Sequence, residues 1–170
     1  VLETDRLTIR ELRLPRLTKI LLAVTHFQSK LYWSDQSQAR ECGPLSASIR
    51  EAEKQVQHTR TILVGDLNMN PFEDGLVSAD GLNAVMTREI ALRGTRTVAG
   101  NKYPFFYNPM WSHFGDADES PPGTYYYPRA EHKMFFWNMF DQVLIRPDLI
   151  DLFQNETLKI LNTDGTVSFL

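Results

Sequence analysis

Asp66 and Asn68 are the residues whose types and spacing point most directly to chemistry. They follow Gly65 and a short apolar run, residues 61–64, so a buried strand would deliver a carboxylate and an amide into a loop. Such an Asp can orient or deprotonate water or bind a hard cation, and such an Asn can hold water or a phosphate oxygen. The simpler interpretation is an Asx turn, in which the Asp side chain accepts a nearby backbone N–H. Taken alone, the pair favours the turn.

His26 is a second candidate, because it follows another continuous apolar run, residues 20–24. If the two strands are parallel neighbours, their polar ends open at the same edge of the sheet, and His26 and Asp66 share a cleft. There His26 would donate to a phosphate oxygen or, as an imidazolium, stabilise developing negative charge. The alternative is a histidine that only caps the strand or lies at the edge of the core.

The elements that must position these residues can be read from hydrophobic periodicity. Apolar and polar residues alternate at 7–12, and Leu45, Ile49, Ala52 and Val56 form one helical stripe. The predicted elements are a strand at 7–12, a buried strand at 20–27, a helix that begins at Pro44 or Ile49 and ends near His58, and a buried strand at 61–64. Strand, helix and strand in this order predict a crossover unit.

The rest of the chain has weaker patterns. Phe72 to Leu92 favours one or two short helices interrupted by glycine, and Tyr103 to Phe140 is rich in aromatic residues and proline, which favours irregular loops. Within those loops we expect one strand around residues 124–127. A β-branched run predicts a strand at 142–145, and a last strand is expected at 158–161.

Composition places the chain among ordinary globular proteins. It has 170 residues, of which 42% are hydrophobic and 23% charged, so we expect a single domain spanning residues 1–170, and the crossover unit places it in the α/β class. Cys42 is the only cysteine and cannot close an internal disulfide. The apolar run at 20–24 is far too short to cross a bilayer, so we expect neither membrane insertion nor secretion, and a cytoplasmic protein. The oligomeric state is left open.

Three segments in order resemble motifs of the endonuclease/exonuclease/phosphatase superfamily, the DNase I-like proteins. Gly65-Asp66-Leu67-Asn68 with Pro71 resembles its Gly-Asp-Phe-Asn motif, and residues 140–145 resemble its later Ile-Asp-Tyr-Ile-Phe strand. Residues 24–29 resemble its histidine-bearing strand end. The resemblance extends from about Lys19 to Pro147. It implies an α+β sandwich, part of a four-layer arrangement of two packed mixed sheets flanked by helices.

The resemblance also implies Mg²⁺- or Mn²⁺-dependent hydrolysis of a phosphate ester by activated water. Asp66 would orient or deprotonate the water, and Asn68 would position it or a phosphate oxygen. Both would also be ligands of the metal ion. His26 would bind the phosphate. Asp141 would orient a histidine, as in a catalytic dyad. Alternatively, Asp141 is a strand-start residue that pairs with a backbone N–H.

Two motifs of the superfamily are missing from the sequence. Its members begin with a strand bearing an Asn and then a metal-ligating Glu, and end with Ser-Asp-His, and neither pattern occurs here. We therefore expect a domain that is incomplete at both ends, or a decayed or split relative. The alternative function is a noncatalytic binding module that kept the fold, and a third possibility is an unrelated α/β domain with a chance Asx turn.

The substrate class stays open among nucleic acid, nucleotide, phosphoinositide and lipid headgroup. Net charge is −3 and the acidic excess follows residue 60, which argues against long duplex DNA. Trp111 and Tyr125 lie in the aromatic segment and would either stack on a substrate base or pack in a core under the loops.

Overall fold

A seven-stranded mixed sheet lies at the centre of the fold in the computed structural model, which describes residues 1–15, 19–116, 120–130 and 132–168. The strands are β1 (Leu2–Glu3), β2 (Leu7–Arg13), β3 (Lys19–His26), β4 (Thr61–Asp66), β5 (Ala84–Val85), β6 (Thr95–Val98), β7 (Asn101–Pro104), β8 (Phe106–Tyr107), β9 (Tyr125–Tyr126), β10 (Trp137–Asn138) and β11 (Asp141–Ile145). Their order in the central sheet is β1-β2-β3-β4-β11-β8-β5, while β6 pairs with β7 and β9 with β10.

The crossover unit predicted from the sequence is present. Strands β3 and β4 are parallel neighbours, and helix α1 (Asp35–Val56) connects them. Strand β2 pairs antiparallel with β3, and its alternating pattern buries Leu7 and Ile9 on one face while Arg10 is exposed. The α/β class is therefore confirmed.

Helix α1 begins earlier than the predicted start at Pro44 or Ile49. Its N-cap is Ser34, whose side chain accepts the backbone N–H of Ser37 at 3.2 Å, and Pro44 lies inside the helix. The first turns carry few apolar residues, so the hydrophobic stripe does not reveal them. The helix tolerates the hydrogen bond that Pro44 removes because its apolar face packs on the sheet.

The main core lies between α1 and one face of the central sheet. Leu21, Ala23 and Leu63 of the sheet pack with Leu45 and Ile49 of the helix. Strand residues alternate between faces, so the neighbouring positions of β3 and β4 point to the opposite side.

The opposite face of the sheet is only partly covered. The 3-10 helix Pro147–Leu152 covers one end, where Leu149 packs with Ile20 and Ile145. At the other end Val24 is 43% exposed and Val64 half-buried. No second large sheet faces this surface within the described part of the chain, where the other two sheets have two strands each.

The remaining elements are short. They are the helices α2 (Asp74–Val77) and α3 (Arg88–Ala91) and the 3-10 helices Pro109–His113 and Asn155–Thr157. The two short helices between Phe72 and Leu92, the strand within 124–127 and the strand at 142–145 are confirmed. Among the described residues, no helix has the length and apolar character needed to span a bilayer.

The strand expected at residues 158–161 is wrong. Those residues adopt no strand, and they line one side of a cavity of about 530 Å³ opposite Val64 and Val143. Leu158 and Ile160 are half-buried beside this cavity, while Lys159 and Leu161 are exposed. The β6–β7 hairpin was not predicted, because its turn, Ala99-Gly100, has a left-handed backbone that the sequence signals only weakly.

Candidate functional site

Strand register brings three of the predicted site residues into one row. His26 on β3 lies beside Asp66 on β4, and Asp66 lies beside Asp141 on β11. The three positions share the sheet face opposite α1. His26 Nε2 is 3.8 Å from Asp66 Oδ2. The expectation that parallel strands place His26 and Asp66 together is confirmed.

Gly65 lets β3 and β4 approach closely just before the row. Its φ is +150°, and a Cβ atom built there would lie 1.8 Å from the carbonyl oxygen of Thr25. A side chain at this position would therefore push the two strands apart. The glycine of the Gly-Asp-Leu-Asn motif is needed for the backbone spacing that brings Asp66 to His26.

Asp66 and Asn68 form the Asx turn that was the simpler interpretation of this pair. The backbone N–H of Asn68 donates to Asp66 Oδ1 at 2.8 Å, and Asn68 has a left-handed φ of 49°. The buried Asn68 side chain donates from Nδ2 to the carbonyl oxygen of Phe27 at 3.0 Å. The amide thus ties the end of β3 to the loop after β4, while the second oxygen of Asp66 faces His26.

The surroundings of Asp66 favour its protonated form more than water does. Burial raises the pKa of Asp66 above its ordinary value, and the negative charge of Asp141 adds to the rise; the Asn68 backbone N–H and His26 oppose it. The Asp66 side chain is 36% exposed and that of His26 is 76% exposed, so both are open to a ligand. Perturbed carboxyl pKa values are more frequent at functional sites than elsewhere, although structural charge pairs also produce them.

Asp141 is held by its backbone at the start of β11. Thr124 Oγ1 accepts the backbone N–H groups of Phe140 and Asp141, each at 3.0 Å. The Asp141 side chain is exposed, and no histidine of the described residues pairs with it.

The two aromatic candidates lie in different clusters. Tyr125 is 47% exposed and stacks on Phe140 with ring centroids 5.5 Å apart, so it lies beside the row. Trp111 is half-buried and contacts Phe72, which follows the Asp66 loop, with centroids 6.2 Å apart. The structure brings Tyr125 to the row and puts Trp111 in a separate aromatic cluster around Phe72.

Sequence reasoning missed Asn70, Thr124 and Gln142. Asn70 and Gln142 are buried amides next to the row, and Thr124 anchors the start of β11. The available signal was a polar amide at a position with apolar neighbours, since Gln142 directly precedes Val143-Leu144-Ile145.

The donors in the row fit a hydrated divalent cation better than a closed metal cage. Asp66 and Asp141 are facing carboxylates on neighbouring strands, an arrangement that like charges disfavour and a cation relieves. Mg²⁺ is commonly bound by one or two carboxylates together with water and substrate phosphate. Within the described residues, no group of three or more His, Cys, Asp and Glu side chains is arranged to hold a metal ion.

Comparison with known proteins gives no match to this chain, either to a protein-family model or to a curated protein sequence.

Proposed function

We propose that this chain is the metal- and phosphate-binding part of a phosphoesterase of the endonuclease/exonuclease/phosphatase superfamily. The observation that supports the proposal is the row His26, Asp66 and Asp141, which joins an exposed imidazole to two carboxylates at one sheet edge. Hydrolysis of a phosphate ester needs a group that accepts the proton of the attacking water and a group that donates a hydrogen bond to the phosphate oxygens. The row supplies both in this proposal.

Asp66 takes the proton of the attacking water in this proposal. His26 donates a hydrogen bond to a phosphate oxygen from its exposed ring. Asn68 fixes the loop that carries Asp66 through its bond to Phe27, and the exposed Tyr125, which stacks on Phe140, would contact a substrate base or ring.

Asp66 and Asp141 would hold the divalent ion, Mg²⁺ or Mn²⁺. When bound, such an ion would neutralise phosphate charge and lower the pKa of a coordinated water. The partner is then a phosphate-ester substrate.

The proposed fold is a four-layer sandwich, in which a second sheet packs on the partly covered face. Half-buried Leu22, Ile62, Val64 and Val143 and exposed Val24 support this assignment, because an apolar sheet face is normally packed against another layer.

Hydrolysis of bis(p-nitrophenyl) phosphate and p-nitrophenyl phosphate with Mg²⁺ or Mn²⁺ tests the proposal. We expect turnover that EDTA abolishes and that Asp66→Asn lowers by about 10²–10⁴-fold, the usual contribution of a general base. Asp164→Asn is the matched control, since Asp164 is exposed in a turn near the end of the chain. No turnover above the buffer rate with either ester would reject the proposal.

A noncatalytic binding module is the second candidate. It is favoured by the Asn68 side chain, whose Nδ2 is engaged by Phe27, and by the absence of a histidine partner for Asp141 among the described residues. For such a module, Asp66→Asn leaves the affinity for a phosphate ligand unchanged while neither protein hydrolyses it.

A further inference from the structure

We infer that the buried amides of Asn70 and Gln142 are positioning residues, which fix the chain segments next to Asp66 and Asp141 and so orient the two carboxylates. This inference rests on the proposed function, since it concerns the same site. It begins with the way in which the two strands part.

The paired register of β4 and β11 ends at Asp66 and Asp141, and one backbone hydrogen bond follows it. The backbone N–H of Leu67 still donates to the carbonyl oxygen of Phe140 at 2.8 Å, just past Asp66 and just before Asp141. From there the chain segments 67–70 and 138–140 lie side by side and are joined by side chains.

Asn70 forms the first set of these side-chain hydrogen bonds. Its Oδ1 accepts the backbone N–H of Met139 at 2.8 Å, and its Nδ2 donates to Asn138 Oδ1 at 2.9 Å. Its own backbone N–H donates to Glu73 Oε1 at 2.9 Å. The residue therefore fastens the loop after Asp66 to the segment before Asp141.

Gln142 forms the second set, from β11. Its Nε2 donates to the carbonyl oxygens of Met69 at 2.6 Å and of Met139 at 2.9 Å. Its Oε1 accepts from Asn108 Nδ2 at 2.7 Å. Gln142 is buried, and both hydrogens on its Nε2 and its Oε1 atom have hydrogen-bond partners.

Hydrogen bonds explain why amides occupy these positions. Buried polar groups stabilise a protein little more than apolar side chains of the same shape, but a fully satisfied network permits only one geometry. The two amides hold segments that carry Asp66 and Asp141 on adjacent strands. Replacing a group that hydrogen-bonds a metal ligand directly typically costs about 10–100-fold in metal affinity or activity, and these amides act one step further away, so that range is an upper bound for them.

The test compares Gln142→Met and Asn70→Ala with the wild-type protein. Gln142→Met keeps the side-chain length and removes all three hydrogen bonds, and Asn138→Ala is a milder variant that removes only the acceptor of Asn70 Nδ2. The matched control is Asn83→Gly, because Asn83 is also a buried amide that donates to two carbonyls, of Tyr103 and Pro104, and its φ of 53° suits glycine.

Three quantities are measured for each protein: Mn²⁺ affinity by electron paramagnetic resonance, kcat and KM for bis(p-nitrophenyl) phosphate, and the unfolding midpoint in urea. We expect Gln142→Met and Asn70→Ala to weaken Mn²⁺ binding and to lower kcat by about 10-fold, and by at most about 100-fold, with little change in KM. Asn138→Ala should show a smaller loss in both. Asn83→Gly should lower the urea midpoint only.

If the wild-type protein binds Mn²⁺ and hydrolyses the ester, and the variants Asn70→Ala and Gln142→Met differ from it no more than Asn83→Gly does, the positioning role is overturned while the proposed function stands. If the wild-type protein neither binds Mn²⁺ nor hydrolyses the ester, the proposed function fails and the positioning role with it. Should Gln142→Met not fold, the comparison of Asn138→Ala with Asn83→Gly decides the question.

Discussion

Replacement of Arg146 by Met should destabilise the fold strongly, because Arg146 belongs to a buried ion pair. Its side chain is 1% exposed and its Nε donates to Oε1 of Glu53, itself 5% exposed, at 2.8 Å. The guanidinium also donates to the carbonyl oxygens of Pro104 and Phe105 and lies 3.8 Å from the centre of the Phe106 ring. Methionine keeps the apolar packing and removes every one of these polar contacts.

The expected loss follows from what remains after the substitution. Glu53 keeps the hydroxyl of Thr61, which donates to its Oε1 at 2.7 Å, but becomes a buried carboxylate without a cation. Removing one partner of a buried pair costs about 3–5 kcal/mol. For a protein of this size, each kcal/mol lowers the midpoint of thermal unfolding by about 2–4 °C, so the shift is roughly 6–20 °C.

Urea unfolding with linear extrapolation measures this loss directly. Arg93→Met is the matched control, because Arg93 pairs with Glu89 on the surface at 3.1 Å, where such a pair contributes at most about 0.5 kcal/mol. The double variant Glu53→Leu/Arg146→Met removes both charges and should recover most of the loss. If Arg146→Met costs less than about 1 kcal/mol, or if the double variant is no more stable than the single one, the reasoning about the isolated buried charge is refuted.

Three further predictions concern single positions. Gly65→Ala should lower the free energy of unfolding in urea by about 3 kcal/mol or more, because its Cβ would clash with the Thr25 carbonyl. Gly94→Ala is the control: Gly94 has a φ of +81° but open space for a Cβ, so this change should cost about 1 kcal/mol. Equal losses would contradict this account. Burial raises the pKa of Cys42 to about 12, so iodoacetamide at pH 8 should label Cys42 only in urea, as judged by mass spectrometry; rapid labelling of the folded protein would argue against burial of the thiol. Since the pKa of Asp66 is raised by folding, ionisation of Asp66 disfavours the folded state, and in metal-free buffer Asp66→Asn should unfold at higher urea than wild type at pH 7. That advantage should disappear as the pH falls below the ordinary Asp pKa of 3.8, where both states bind the proton; an advantage that grew on acidification would have the wrong sign.

The central elements were predictable because burial dictates their patterns. Strands β3 and β4 lie inside the sheet, with α1 on one face and Leu149 over part of the other, so their apolar runs are nearly continuous. The crossover between them follows from chain geometry. The start of α1 was not predictable from hydrophobicity, since Ser34 caps the helix ten residues before Pro44, which misleadingly marks a helix start.

The sequence allowed the residues of the candidate site to be predicted, but not their spatial arrangement. The order of His26, Asp66 and Asp141 along the chain gives no register, and only the pairing of β11 with β4 puts Asp141 beside Asp66. The direction of the Asn68 side chain depends on the Phe27 carbonyl, a contact between residues far apart in sequence. The roles of Asn70 and Gln142 likewise depend on long-range hydrogen bonds that no local pattern encodes.

The place of β11 in the sheet has a consequence for biosynthesis. This strand lies between β4 and β8, yet it is made long after β4, with 75 residues separating Asp66 from Asp141. At about 5–20 residues per second the ribosome leaves the edge of β4 bare for roughly 4–15 s. A bare apolar edge is a template for pairing with other chains. Substitutions that weaken the docking of β11 should therefore lower the yield of soluble protein during synthesis before they alter the properties of the molecules that fold.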